Sequence, residues 1–319
     1  MRNAALKPSR VVSWTLTTLA LVVLAAWFFV WRTGAETMRR SIDAWAEDQR
    51  AAGFSVVYND VRTTGFPFFL RGELENAAIS DGRNWRWSAA TLNIDTLPYA
   101  LDRLTFSAAN PQTLDLGAHG LWSLATERGR VSIESDKARD WTFTAESGPG
   151  VLSRADGGAA LSAEKFLLSI APAATDLRRI EASLIVDKFA LVRAGETIDA
   201  PHIEAFVETE ERAAHGREIS LKHVSIEAEG ARLLLQGKLR VDANGFPEGV
   251  LQAEITDPAG LAALLGKTGA LSPGEADQAA AALTLAAIAG GGKLKGPIEL
   301  KNGAARIAGV KIADLPKLD

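Results

Sequence analysis

The chain has 319 residues, 47% of them hydrophobic and 23% charged, with a formal net charge of −4 and no cysteine. Without cysteine, a disulfide framework, a thiolate zinc site, an iron–sulfur cluster and a cysteine nucleophile are all excluded. Residues 1–34 carry four basic side chains (Arg2, Lys7, Arg10, Arg32) and no acid, which leaves 31 basic against 39 acidic residues in the body; an acidic body argues against binding nucleic acid, which needs a basic face.

Val11 to Trp31 reads VVSWTLTTLALVVLAAWFFVW, 21 residues without a charge. At about 1.5 Å per residue, such a helix crosses a hydrocarbon core of roughly 30 Å. Trp14 at one end, and Trp27 and Trp31 at the other, suit interfacial aromatic belts. Basic residues precede the run, so the positive-inside rule predicts residues 1–10 in the cytoplasm, 11–31 as an anchor and the remainder outside. A cleaved signal peptide is the rival reading, with small residues at Thr33-Gly34-Ala35. The run is longer than the usual signal core and ends in bulky aromatics, which favours an uncleaved anchor.

Residues 32–53 follow as a separate amphipathic juxtamembrane helix, with Met38, Ile42, Trp45 and Gln49 on one face and Gly53 as the stop. It either lies on the membrane surface or caps the sheet behind it, and capping is the simpler expectation.

From residue 54 to 319 the hydrophobic period becomes two. Phe54, Val56 and Tyr58 share a face; so do Phe66, Phe68, Leu70 and Leu74, with Arg71 and Glu73 opposite. The alternation continues through Leu92/Ile94, Val131/Ile133, Phe166/Leu168/Ile170, Ile180 to Val186, Ile203 to Val207, Leu233/Leu235/Leu239, Leu251 to Ile255 and Ile298/Leu300. Polar turn clusters such as Asp156-Gly157-Gly158 and Asp242-Ala243-Asn244-Gly245 separate many of the runs. Short turns join only antiparallel neighbours. The fold class predicted is mainly β: an N-terminal transmembrane helix, then a long curved antiparallel sheet (groove, half-barrel or sandwich) with two short late helices. Those helices fall near 258–265 and 273–289. Asp257-Pro258 caps the first and Gly266 ends it; Ser272-Pro273-Gly274-Glu275 is a capping box for the second, stopped by Gly290-Gly291-Gly292. Their apolar faces, Leu261, Leu264 and Leu265, and Leu283 and Ile288, should cover part of the sheet.

No catalytic, metal or cofactor motif emerges, so the protein is read as a non-enzyme without a cofactor. Gly260 to Thr268 resembles a phosphate loop, but five residues separate the glycines where four are needed, and all are helix formers. The histidines His119, His202, His215 and His223 lack ligand spacing. Trp85 and Trp87 read as sharing a strand face, as core rather than as an aromatic platform.

A membrane anchor, a Trp-bearing helix ending at Gly53, a Tyr-bearing strand and then Gly65-Phe66-Pro67-Phe68 resemble the domain-of-unknown-function 2125 family of Gram-negative inner-membrane proteins. That family continues Phe-Arg after the proline; here Phe69-Leu70-Arg71 delays the arginine by two. Gly245-Phe246-Pro247 echoes the motif. More distantly, the architecture is similar to AsmA-like proteins. That resemblance implies a periplasmic domain on the inner membrane and a role in lipid handling or envelope maintenance, by fold-level analogy alone. The expected partners are the inner membrane and lipid; protein partners are left open. Candidate groove-lining residues are Phe66, Phe68, Leu70, Leu74, Leu233, Leu235 and Leu239. Two functions stand side by side: an apolar β-groove that binds or conducts acyl chains, and a structural or assembly module whose apolar faces are closed. Whether the Phe66/Phe68 face is covered separates them.

Overall fold

The chain's computed structural model describes residues 10–136, 139–193, 195–212, 216–269, 271–289, 292–307 and 309–317. The expected cytoplasmic tip up to residue 9, His215, and Gly290 and Gly291 of the expected helix stop lie outside them.

The apolar run and the amphipathic segment form one unbroken helix, α1 (Arg10–Ala51). The expected division at residue 32 is therefore absent, because Arg32-Thr33-Gly34 holds no proline and one glycine is tolerated within a long helix. The predicted stop is correct: Gly53 takes φ +96°, its N–H reaches the Arg50 carbonyl, and the Phe54 N–H reaches Gln49. That is a Schellman cap, which favours glycine at the left-handed position. Residues 14–26 are exposed all round, whereas Ala35, Ile42 and Ala46 are buried. Trp45 points outward, contrary to the expected face.

The buried stripe of α1 covers three strands, β1 (Ser55–Val57), β2 (Val61–Thr64) and β3 (Leu70–Ser80). Gly34 sits against Leu70, and Met38 and Ile42 sit on Gly72. The Tyr58 hydroxyl donates to Asp43 (2.7 Å), and the Arg50 guanidinium donates to the Val56 carbonyl. The helix thus caps the first edge of the sheet and runs straight on from the apolar run.

β4 (Arg86–Leu97) pairs with β3. Beyond it come eight shorter strands: β5 (Ala100–Ala108), β6 (Gln112–Asp115), β7 (Leu121–Thr126), β8 (Arg130–Asp136), β9 (Asp140–Ser147), β10 (Gly150–Arg154), β11 (Ala159–Ala163) and β12 (Lys165–Ala173). Long strands follow: β13 (Asp176–Arg193), β14 (Glu196–Arg212), β15 (Gly216–Ala228), β16 (Ala231–Val241) and β17 (Pro247–Thr256). The helices α2 (Pro258–Thr268) and α3 (Pro273–Ala289) precede β18 (Lys293–Lys301), β19 (Ala304–Ile307) and β20 (Val310–Asp314). All twenty strands join one sheet, and every described pairing is antiparallel.

The late helices form as their caps predict. The Asp257 side chain accepts from the Gly260 N–H, and Ser272 and Glu275 bond reciprocally. α2 runs past Gly266, however, and stops at Gly269, where φ is +78°. Leu261, Leu264, Leu283 and Ala287 join Leu251, Ile255, Ile298 and Ile307 in the main core. Ile288, expected on that face, is exposed. Leu233, Leu235 and Leu239 pack against this core.

Candidate functional site

Between β4 and β13 the sheet divides into two arms of four strands each. One is β5–β8–β9–β12 and the other β6–β7–β10–β11. Both rejoin on β13, β12 along Asp176–Asp187 and β11 along Ala190–Arg193. The chain crosses between the arms four times, so each crossing is one long strand broken in its middle. The breaks fall at Ala109–Pro111, Glu127–Gly129, Gly148–Pro149 and Glu164.

The residue types explain these breaks. Pro111 and Pro149 have no N–H to give a ladder. Non-glycine residues in the left-handed region mark further irregularities on the same line: Asn76 (φ 51°), Arg128 (φ 55°) and Lys188 (φ 50°). At Lys188 the register steps from Asp187 opposite His202 to Phe189 opposite Ala200, one unpaired residue on each strand. Bonds across the line survive: Asn110 bridges both backbone groups of Thr126, and Glu127 exchanges bonds with Pro149 and Gly148. The sheet is therefore creased rather than torn, as irregularities that bend strands allow.

A single cavity of about 690 Å³ lies inside the crease, lined by all ten strands from β4 to β13. Phe106, Val131, Ala145 and Phe166 come from one arm, Leu124, Leu152 and Leu161 from the other, and Trp87, Leu92, Val186 and Phe189 from the strands that join them. Residues of both arms line one space, so the arms face each other as the walls of a trough. Among these apolar residues only Val186 is buried; the others are half-buried. Trp87 and Leu92 pack against the core under α1 and Phe189 against the main core, whereas the apolar residues of the two arms join no buried core cluster and stand as walls. Among the described residues, α1 packs on β1–β3, while α2 and α3 pack on β14, β16, β18 and β20, which leaves β5–β12 outside the main helix contacts. An apolar cavity of this size is in the range that takes a small ligand.

The sequence-nominated residues lie elsewhere. None of Phe66, Phe68, Leu70, Leu74, Leu233, Leu235 and Leu239 lines the trough. Leu70 and Leu74 are fully buried under α1. Phe66 and Phe68 belong to a turn, because β3 begins only at Leu70; they do not share a strand face with it. In that turn Gly65 takes φ +104°, the Phe66–Pro67 peptide is cis, and the Gly65 carbonyl accepts from the Phe68 and Phe69 N–H groups. The turn is fastened to α1: the Trp27 indole donates to the Pro67 carbonyl (2.8 Å) and the Trp31 indole to the Phe69 carbonyl (2.9 Å). Arg71 forks onto Asp95 at 2.7 and 2.8 Å and lies over the Phe69 ring. The second motif behaves differently. Gly245 ends a tight turn organised by the Asp242 carboxylate, and Pro247 opens β17 directly.

Trp87 lines the trough and donates to Gln112, whereas Trp85 precedes β4 in a loop, so the two do not share a strand face. That loop is tied by Asp81, whose carboxylate accepts from the N–H groups of Trp85, Arg83 and Asn84. These bonds hold the Asp81 carboxyl down at about 2. A depressed folded value stabilises the loop above the unfolded carboxyl range near pH ~4 and loses that contribution as pH falls toward 2. Carboxyl NMR should find Asp81 titrating at about 2, below the ordinary aspartate range. Asp81→Ala should remove the associated pH dependence of the Trp85 amide shifts between these limits. Asp81 titrating in the ordinary range would contradict the bond geometry.

The sequence did carry a signal for the trough: breakers recur in mid-strand, at Asn110-Pro111, Arg128-Gly129 and Gly148-Pro149. Read one strand at a time they look like ordinary turns. Only the pairing aligns them into a crease.

Fold and site define a class: a long apolar N-terminal helix that caps one edge of a creased antiparallel sheet with an open apolar trough. The chain belongs to the family described as an uncharacterised protein conserved in bacteria, DUF2125, whose model matches residues 31–316. Neither the curated proteins nor the solved structures contain a match to it.

Proposed function

We propose that this protein is anchored in the inner membrane by α1, with its N-terminus in the cytoplasm, and holds lipid acyl chains in a periplasmic β-trough without catalysing a reaction. One observation carries the reading: ten strands place half-buried apolar side chains around a space of about 690 Å³ that no described element covers. Monomeric proteins rarely leave a contiguous apolar surface without a use. Burial contributes about 0.8 kcal/mol per methylene, so eight methylenes would supply roughly 6 kcal/mol toward holding part of a lipid tail. The helix supports the anchoring. It is long and apolar enough to cross a membrane, and Gly34 and Ala35, at the candidate cleavage site, are packed against the sheet edge. Basic residues on the N-terminal side support the orientation. An AsmA-like role in envelope maintenance is compatible with such a trough. The structural-module reading needs closed apolar faces; α1 closes the Leu70/Leu74 face, so that part of the expected groove is shut, but among the described residues nothing closes β5–β12, and the lipid reading rests on those strands.

The test is crosslinking in native membranes. A benzophenone probe at Leu152 or Phe166 should yield phospholipid adducts on irradiation, whereas one at Leu285, exposed on α3, should not. Ala145→Trp with Leu161→Asp should abolish the adducts, because bulk fills the trough and a carboxylate resists an apolar tail. Both side chains are half-buried, so the fold should survive with unchanged circular dichroism. Absence of lipid adducts at both Leu152 and Phe166 would sink the proposal.

A further inference from the structure

We propose that the turn Gly65–Phe69, together with the neighbouring turn at Leu97–Tyr99, is a membrane foot that seats in the lipid interface beside α1. The inference rests on α1 as a membrane span but not on the occupancy of the trough.

Depth comes first. Trp27 and Trp31 both lie inside the uncharged run Val11–Trp31, and they bond to Pro67 and Phe69. Four residues separate the two indoles, so the Pro67 contact lies about 6 Å deeper than the end of the run. Phe66 packs edge-on against Phe28 and Trp31, with ring centroids 5.6 and 5.5 Å apart. If the run is in the membrane, the turn reaches the same level.

Five backbone groups of the turn Gly65–Phe69 are prepared for that level. Irregular chain survives beside hydrocarbon only when its polar groups are satisfied by protein. Here the Phe68 and Phe69 N–H groups go to the Gly65 carbonyl, and Pro67 has no N–H to satisfy. The Pro67 and Phe69 carbonyls receive the indoles, whose own donors are thereby satisfied too.

The side chains agree. Thr63 to Leu70 and Thr96 to Leu101 contain no charged residue. The register sets the two turns side by side, since Leu70 lies opposite Thr96. Phe68 is 75% exposed and Tyr99 73% exposed, with Leu97 also open. The Arg71 guanidinium, two residues past Phe69, is held back by Asp95. Aromatic side chains of this kind favour the headgroup boundary.

The chain has no cysteine, so single cysteines can carry an environment-sensitive fluorophore. The full-length protein would be placed in vesicles of phosphatidylethanolamine and phosphatidylglycerol, labelled in turn at Leu21→Cys, Phe68→Cys and Leu285→Cys. The Phe68 position should be quenched several-fold more by nitroxide lipids labelled near the headgroup than by aqueous iodide. Leu285 should show the reverse, and Leu21 should respond to nitroxides deep in the chain. Trp27→Phe with Trp31→Phe should shift the Phe68 probe toward iodide. A Phe68 probe quenched by iodide as strongly as Leu285, with Leu21 still lipid-quenched, overturns the foot and leaves the span standing. Iodide quenching at Leu21 as well overturns both.

Discussion

Leu283→Ala should lower the unfolding free energy by about 2–5 kcal/mol, while Leu285→Ala, two residues along the same helix, should change it by no more than about 0.5 kcal/mol. Leu283 is 1% exposed and Leu285 70% exposed. Leu283 belongs to the core that α2 and α3 form on the sheet, together with Leu251, Ile255, Leu294 and Ile298. Removing it forfeits the burial of the deleted carbons and leaves a cavity that a sheet cannot collapse to fill, because strand spacing is held by the ladder. Urea unfolding of the full-length protein in mild detergent measures the difference, as a lower midpoint at unchanged slope. Equal effects at the two positions would mean that α3 is not seated as described.

Gly65→Ala should be costly as well, by about 3 kcal/mol, and its damage should be local. At φ +104° a side chain is strained by about 1–3 kcal/mol. An added Cβ would also meet the Phe69 carbonyl oxygen at 2.5 Å and the Phe69 ring at 2.6 Å. The Phe69 backbone would have to move, and with it the carbonyl that receives the Trp31 indole. Each lost bond of that type adds about 1 kcal/mol. Gly82→Ala is the matched control: its φ of +74° is also positive, but nothing lies within 4 Å of an added Cβ. It should cost less than Gly65→Ala, and the indole environment, read by near-ultraviolet circular dichroism, should change only in the Gly65 variant. Identical spectra for the two variants would argue against the turn-to-helix bonds.

These two sites differ in how far they can be read from residues alone. The capping box at Ser272–Glu275 and the Pro at the start of each late helix announce α2 and α3, and the structure has them where the caps say. Caps are local chemistry, settled within one helical turn. Which leucine is buried is not local: Leu283 and Ile288 look equivalent in sequence, yet the sheet covers only the first. Gly266 likewise looks like a stop, but the helix continues until Gly269 offers the left-handed conformation.

That the apolar run and the amphipathic segment are one helix is not legible in the residues, but the charge-free run, the glycine stop at Gly53, the period-two body, the antiparallel sheet and the two capped helices are. Each of these depends on a charge-free length, a hydrophobic period or a cap, all written in contiguous residues. Where the apolar face stays open is set by packing between distant parts of the chain. Phe66 to Leu74 carries strong alternation, but the two phenylalanines fall in a turn and α1 lies across Leu70 and Leu74, while Leu233 to Leu239 is packed against the main core. The open face falls on β5 to β12, where the alternation is no stronger. Its position depends on mid-strand breaks coming into line across neighbours distant in sequence, and on which strands the helices reach. Pairing register and helix placement are long-range outcomes, so no single stretch of the chain records them.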